Sequence, residues 1–226
     1  MKNAKSRNPT ILFDLDGTLV DTVYQHVSAW SVALRSVGIM IPQWKIHRRV
    51  GMSGRSMVQQ LLAEQGSTLK VDISLLEKKH DAGFTKASRD PHILPGSKEL
   101  LKFLTRKHIR WAIATTGGEE QTARLLKRLD IPAGVPVVTG DDVAKTKPSP
   151  DVFVLAADQL GVSIEDCIVT GDSVWDMLAA ARKRALGVGL LCGGYGREEL
   201  ERSGAFRIYA DPKEMLLHIE DLGIER

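Results

Sequence analysis

The stretch that decides the fold is ILFDLDGTLVDT, residues 11–22. Its apolar start has the length and composition of a buried strand, and Gly17 and Thr18 indicate a turn directly after it. Asp14 and Asp16 end this strand two residues apart, a spacing that directs both side chains to one side of a continuing strand. The two carboxylates are therefore expected to converge on one site, although an acidic strand end before glycine can also be a simple turn.

Working outward, five more apolar runs of strand length follow, at residues 111–115, 135–139, 167–171, 186–191 and 206–210. Helical patterns alternate with them, at residues 96–107, 119–129, 150–160, 174–184 and 212–222. Such alternation predicts βαβ units, and the nearly continuous apolar runs indicate strands covered on both faces. The predicted fold class is α/β, with a Rossmann-like parallel sheet as its core.

Residues 22–90 break this alternation. Val23, Val27, Trp30 and Leu34 follow the three- and four-residue spacing of an amphipathic helix, and helical patterns continue at residues 53–65 and 72–87. We predict a helical cap domain over residues 22–90, inserted after the first strand of a core domain made of residues 1–21 and 91–226. The cap is expected to cover the carboxyl ends of the strands, where open α/β sheets bind ligands.

The composition of the chain argues against several classes of protein. The chain has 226 residues, 43% of them apolar and 26% charged, which is typical of globular proteins. The net charge of +3 gives no basic stripe for nucleic acid, and no apolar run approaches the roughly 20 residues that span a membrane. The N-terminus lacks the apolar run of a signal peptide, and Cys167 and Cys192 read as core residues in a reducing compartment. We expect a soluble, cytoplasmic protein.

Three further elements carry polar groups at strand ends. Thr115 and Thr116 end a strand and precede two glycines and a helix, which would present O–H and N–H donors to an anion. A threonine in this place can also merely cap the helix. Lys147 precedes Pro148 and can offer a fixed positive charge, where a solvated surface lysine is the alternative and Lys145 the rival candidate.

The last element, IVTGDSVWD at residues 168–176, supplies Asp172 at a strand end and Asp176 at the start of a helix. Oxygen ligands of this kind, without Cys or His beside them, suit Mg²⁺. For Asp176 the alternative is a carboxylate that is favoured by the helix dipole.

The four elements, in this order and spacing, resemble the haloacid dehalogenase superfamily. The resemblance runs from residue 11 to about residue 209 and points to the phosphatase branch with a helical cap, which is similar to phosphoglycolate phosphatases and β-phosphoglucomutases. It implies that Asp14 is the nucleophile and Asp16 the general acid and base. It also implies that Thr115 and Lys147, with Thr116 as a weaker candidate, hold the phosphoryl oxygens.

The cofactor that the resemblance implies is Mg²⁺. Its ligands would be the Asp14 carboxylate, the Asp16 backbone carbonyl and Asp172. Asp176 would bind the ion directly or would contact one of the groups that bind it. The second element reads Thr-Thr-Gly-Gly at residues 115–118, where many relatives carry another polar residue after the hydroxyl.

The acid at Asp16 favours phosphate esters, because relatives that remove halide have no alkoxide to protonate and lack it. We expect hydrolysis of a small phosphorylated metabolite, resembling phosphoglycolate or a sugar phosphate. A phosphomutase is the alternative, since mutases carry a histidine at the spacing of His26, as many phosphatases also do. A non-catalytic binding protein is less favoured because none of the four elements is missing. In the cap, His26, Arg48 and Arg55 are the candidate substrate contacts, and the sequence decides neither the substrate nor the choice between monomer and homodimer.

Overall fold

The computed structural model describes residues 9–66 and 70–226. The main sheet consists of six strands, here β1, β4, β5, β6, β7 and β8, at Thr10–Phe13, Trp111–Ala114, Val137–Val138, Cys167–Gly171, Leu186–Leu190 and Ala205–Tyr209. All of its neighbouring strands are parallel, in the order β5-β4-β1-β6-β7-β8. Two short strands, β2 at Val20–Asp21 and β3 at His92–Ile93, pair with each other in antiparallel fashion.

The helices of the core pack against both faces of this sheet. They are α5 to α10, at Ser97–Arg106, Glu119–Leu129, Asp151–Gln159, Val174–Arg182, Arg197–Arg202 and Pro212–Leu217. Side chains of β1 alternate between the faces, because Ile11 and Phe13 join the hydrophobic cluster beneath α5 and α6 while Leu12 joins the cluster beneath α7 and α8. The prediction of an α/β core with a sheet buried on both faces is confirmed.

The described residues between β2 and β3 form four helices. They are α1 to α4, at Val23–Arg35, Gln43–His47, Gly54–Glu64 and Ile73–Ala87. Their inward side chains form a hydrophobic cluster of their own, built around Trp30, Leu34, Ile46 and Leu61. Because this cluster is separate from those of the sheet, we propose that residues 22–90 are a distinct cap domain.

Element ends differ from the sequence predictions in a few places. Residues 212–222 form a helix only to Leu217, followed by a 3₁₀ turn at Ile219–Leu222. Helix α9 was not predicted, because its six residues contain a single buried apolar side chain, Leu200, and therefore no periodic stripe. Within the described residues, no helix has the length and apolar character needed to cross a membrane.

The sheet order places a crevice at the carboxyl ends of β1 and β6. The chain leaves β1 towards β4 and leaves β6 towards β7, so the two connections diverge. Ligands of open α/β sheets bind at such a switch point. Asp14 follows β1 directly and Asp172 follows β6 directly, which brings both carboxylates to this crevice.

Candidate active site

The loop after β1 holds Asp14 against β6. The Asp14 amide donates to the Thr170 carbonyl (2.9 Å), and the Thr18 hydroxyl donates to Asp172 Oδ1 (2.9 Å). Gly17 has a φ of +80°, and a Cβ atom there would lie 2.6 Å from Asp172 Oδ2. Glycine is therefore needed both for the left-handed turn and for the close approach of the two carboxyl-bearing loops.

Lys147 lies beneath these carboxylates and is 1% exposed. Its Nζ forms an ion pair with Asp14 Oδ1 and lies 2.8 Å from Asp176 Oδ1. Burial by itself would lower the pKa of Lys147, but Asp14 and Asp176 raise it well above its usual value. The lysine is therefore a permanent positive charge at the floor of the site.

The buried carboxylates outnumber that positive charge. Asp14, Asp172 and Asp176 each offer an oxygen, and these oxygens lie within 4.8 Å of one another. Burial raises the pKa of Asp14 to about 7 against the opposing effect of Lys147, and burial together with Asp176 and Asp14 raises that of Asp172. Three carboxylates around one lysine leave excess negative charge, so an all-oxygen donor set of this kind fits a hard divalent cation.

Asp176 also has the structural role that the sequence left open. Its Oδ2 atom accepts hydrogen bonds from the Ser173 hydroxyl (2.6 Å) and the Ser173 amide (3.1 Å) at the start of α8. These bonds form a capping box that fixes the carboxylate. The other oxygen faces Lys147, so Asp176 both caps the helix and belongs to the acidic cluster.

Asp16 contacts the cap, whereas Asp14 pairs with Lys147 in the core. Its Oδ1 atom lies 3.2 Å from His26 Nε2 on α1 and accepts from the Thr22 hydroxyl (2.6 Å). Burial would raise the pKa of Asp16, but the charge and hydrogen bond of His26, with the Thr22 bond, hold it below its usual value. Asp16 and His26 thus form a hydrogen-bonded pair between core and cap, beside the acidic cluster.

The two threonines after β4 lie on different sides of the crevice. The Thr115 hydroxyl accepts from the Gly117 amide (3.1 Å) and lies 3.5 Å from Asp16 Oδ2. The Thr116 hydroxyl instead donates to the Gly51 carbonyl in the cap (2.9 Å). Thr115 therefore faces the carboxylates, whereas Thr116 joins the core to the cap.

A cavity of about 640 Å³ opens between cap and core. Of the residues that the sequence singled out, it is lined by Asp14, Asp16, His26, Thr115, Thr116 and Asp172. Arg48 turns away, pairing with Glu199 and lying 4.4 Å from the Tyr195 ring centre, and Arg55 is exposed outside the lining. Arg49 lines the cavity in their place.

Three titratable cap residues that line this cavity were not singled out from the sequence. They are Glu77, His80 and Asp81. For His80 a signal existed, because it stands four residues after Leu76 and four before Phe84, on the buried stripe of α4. A polar residue on such a stripe needs a hydrogen-bond partner, but the sequence does not reveal which one.

Comparison with known proteins agrees with this geometry. The profile of the haloacid dehalogenase-like hydrolases matches residues 9–182 of the chain. This range contains all four strand-end elements from Asp14 to Asp176.

Individual relatives are similar over most of their length. Hexitol phosphatase A of Escherichia coli is 31% identical over 72% of this chain and 73% of its own. A β-phosphoglucomutase of Bacillus subtilis is 28% identical over 93% of this chain and 94% of its own. The crystal structure of a hydrolase from Pseudomonas syringae has a TM-score of 0.91 and 44% identity, covering 94% of this chain and 98% of that one.

Proposed function

Because the chain belongs to the haloacid dehalogenase-like hydrolases, we propose that it is a Mg²⁺-dependent phosphatase acting on a small phosphorylated metabolite through an aspartyl-phosphate at Asp14. One observation carries the proposal: Asp14 and Asp16 line the same cavity but have different partners. Asp14 is paired with Lys147, whereas Asp16 is paired with His26. This division suits a nucleophile and an acid that act on opposite sides of one phosphorus atom.

In the first half of the reaction, an Asp14 carboxylate oxygen bonds to phosphorus and the ester P–O bond breaks. The leaving alkoxide takes the proton held by the Asp16–His26 pair, whose groups lie 3.2 Å apart. Lys147 and the Thr115 hydroxyl, with the Gly117 amide beside it, stabilise the negative oxygens of the phosphoryl group.

In the second half, water attacks phosphorus and the bond to Asp14 breaks. Asp16 accepts the proton of the attacking water, which restores both the carboxylate of Asp14 and the proton of the Asp16–His26 pair. Atoms and protons therefore balance within one cycle.

The Asp14, Asp172 and Asp176 carboxylates and the Asp16 carbonyl are the proposed holders of Mg²⁺. When bound, Mg²⁺ would neutralise the negative charge shared by phosphate and carboxylates. Without a cation, the pKa values of Asp14 and Asp172 are raised, and the ionised carboxylates would repel a phosphate dianion.

The remaining lining favours a neutral, polyhydroxylated leaving group. Apart from the residues already assigned, five acidic side chains line the cavity: Glu77, Asp81, Glu119, Glu120 and Asp141. Two arginines also line the cavity: Arg49 pairs with Glu64, and Arg124 donates to the Thr85 hydroxyl (2.8 Å), so the acidic side chains outnumber the basic ones. Acidic side chains accept hydrogen bonds from sugar or polyol hydroxyls and repel a second phosphate or a carboxylate.

A phosphomutase is the second candidate. The contact of His26 with Asp16 and the similarity to a β-phosphoglucomutase favour it. A mutase must hold a bisphosphate in two orientations, and acidic side chains outnumber arginines among the described residues that line the cavity. Hydrolysis is therefore the preferred activity.

A cytoplasmic location is part of the proposal, supported by the free thiols of Cys167 and Cys192.

A comparison of substrates tests this proposal. The protein with Mg²⁺ is given a hexitol monophosphate, phosphoglycolate, or β-glucose 1-phosphate with a trace of the 1,6-bisphosphate, and phosphate and glucose 6-phosphate are measured. We expect kcat/KM for the hexitol phosphate to exceed that for phosphoglycolate by about fivefold or more, since one unfavourable charge contact costs about 1 kcal/mol or more. Faster formation of glucose 6-phosphate than of phosphate would favour the mutase. Preferred cleavage of phosphoglycolate would exclude the polyol substrate class.

A further inference from the structure

A continuous series of hydrogen bonds runs from Asp16 into the cap. His26 Nδ1 lies 3.0 Å from His80 Nε2, and His80 Nδ1 lies 3.0 Å from Asp81 Oδ1. Asp81 Oδ1 also accepts from Gln121 Nε2 (2.6 Å) on α6 of the core. The series Asp16–His26–His80–Asp81, here called the histidine chain, thus begins and ends at contacts between cap and core.

The hydrogen bonds of the histidine chain have only one consistent assignment of donors and acceptors. A carboxylate can only accept, so His80 must donate from Nδ1 to Asp81. A neutral His80 then has a bare Nε2, which accepts the proton on His26 Nδ1. His26 then donates from Nδ1 to His80, and its Nε2 faces Asp16 Oδ1.

The surroundings keep His80 neutral and Asp81 ionised. Burial lowers the pKa of His80 to about 4, against a smaller opposing effect of Asp81. Partial burial would raise the pKa of Asp81, but its bonds to His80 and Gln121 lower it below its usual value. The side chain of His80 is 7% exposed and that of Asp81 is 54% exposed, so the carboxylate keeps its contact with solvent.

Aromatic neighbours fix the planes of both imidazole rings. The ring centre of His26 lies 3.8 Å from that of Phe84, with 12° between the planes, and His80 lies 4.3 Å from Trp30 at 17°. The planes of the two imidazoles are themselves within 13° of parallel, and Nδ1 of His26 lies 3.0 Å from Nε2 of His80, within the range of an N–H···N bond.

We propose that His80 and Asp81 are positioning residues that fix the tautomer of His26, so that Nδ1–H faces His80 and Nε2 faces the acid–base carboxylate Asp16. The catalytic part of this inference rests on the proposed phosphatase mechanism. The arrangement has the logic of a triad, in which a carboxylate selects the tautomer of a histidine, with a second histidine inserted between them.

Positioning, rather than proton transport, is the role that the reaction requires. Asp16 loses a proton to the leaving group and regains one from water in the same cycle, so no proton has to arrive from bulk solvent. The first half of the reaction needs a proton that is already placed on the Asp16–His26 pair. If His26 carried its single proton on Nε2, its Nδ1 would face the bare Nε2 of His80, and neither nitrogen could donate to the other.

Nitrogen NMR reads the tautomers without any catalytic assay. The six histidines are labelled with ¹⁵N, and His26 and His80 are assigned from the variants His26→Gln and His80→Gln. We expect both rings to carry a proton on Nδ1 and His80 to have a bare Nε2. In Asp81→Asn, the His80 signal should shift towards the Nε2–H form. A proton on His80 Nε2 in the unmodified protein would overturn the proposal.

Kinetics with two leaving groups test the consequence for catalysis. The value of kcat/KM depends on the step in which the leaving group departs. In that step an alkyl alcohol needs a proton from the enzyme, whereas p-nitrophenolate leaves without one. Asp81→Asn is expected to lower kcat/KM about tenfold for a hexitol phosphate and less than about twofold for p-nitrophenyl phosphate. An equal loss with both substrates would overturn the positioning role.

Asp90→Asn is the matched control. Asp90 also pairs with α6, through Arg128, but it lies outside the histidine chain and the cavity lining. It should leave the NMR signals and both kcat/KM values unchanged. If the unmodified protein cleaves neither substrate, the proposed function fails, while the NMR result still decides whether His80 and Asp81 fix the tautomer.

Discussion

At the scale of single residues, Lys147 has the largest expected effect on stability. It is the only positive charge that the described residues place among Asp14, Asp172 and Asp176, and it is fully buried. Removing one partner of a buried ion pair leaves an uncompensated charge, which is far more costly than losing a surface contact.

Lys147→Met should therefore lower the free energy of unfolding by about 3 kcal/mol in the absence of Mg²⁺. Urea denaturation measures this value. Lys145→Met, two residues away and exposed, is the control and should change stability by less than about 0.5 kcal/mol. Equal stability of the two variants would show that Lys147 does not compensate the carboxylates.

The residues themselves also show how far sequence reasoning reaches. Asp14, Asp16 and Asp172 were found because each follows an apolar strand, and parallel strands bring their carboxyl ends together. His80 and Asp81 could not be found in this way, because they meet His26 only through the packing of α4 on α1. Arg49 faces the cavity and Arg48 does not. Helical spacing alone does not predict which of two adjacent residues faces a cavity.

At the scale of elements, the turn between β1 and β2 controls the distance between two carboxyl-bearing loops. Gly17 occupies the left-handed region, and a side chain there would meet Asp172 as well as Val23. Strain of the backbone and contact with Asp172 therefore act together at this one position.

Gly17→Ala should lower kcat about 100-fold or more, since a shift of about 1 Å in a reacting group has that effect. Gly134→Ala is the matched control, because Gly134 has a φ of +87° but no atom within 4 Å of a new Cβ. It should cost about 1 kcal/mol of stability from backbone strain alone and leave kcat unchanged. Similar kinetics for the two variants would mean that Gly17 matters only for its backbone conformation.

Long, periodic elements were predictable and short ones were not. Helix α6 at Glu119–Leu129 was predicted to the residue, because acidic residues begin it, Thr122, Leu125 and Leu129 form its buried stripe, and basic residues lie in its last turn. The two-residue strands β2 and β3 carry no period, and they exist because residues far apart in the chain pair at the base of the cap.

At the scale of the whole molecule, the acidic cluster links stability to pH. The pKa of Asp14 in the metal-free protein is raised to about 7 from 3.8, so the folded protein binds its proton more tightly than the unfolded chain does. The stability that Asp14 contributes is present in full below pH 3.8 and is lost as the pH rises through about 7. His80 acts in the opposite direction, because its pKa is lowered to about 4.

Comparing the unmodified protein with Asp14→Asn separates the acidic cluster from His80, which is common to both, and reports Asp14 together with its effect on Asp172. Without metal, the unmodified protein should lose stability relative to the variant by about 1 kcal/mol per pH unit between pH 5 and pH 7. Saturating Mg²⁺ should remove this loss, because the cation pairs the ionised carboxylates. Melting temperatures at several pH values measure both effects, and a metal-free difference that stays constant or changes in the opposite direction would contradict the assignment.

Phosphoryl transfer to Asp14 is tested most directly by trapping the covalent species. The protein is mixed with Mg²⁺ and a hexitol phosphate, quenched in acid during turnover and treated with borohydride, which reduces an aspartyl-phosphate to homoserine. Mass spectrometry of the peptide that contains residues 11–22 should find homoserine at position 14 and unmodified aspartate at position 16, with no conversion in Asp14→Asn. Steady release of phosphate with aspartate intact at position 14, or homoserine at another position, would contradict nucleophilic attack by Asp14.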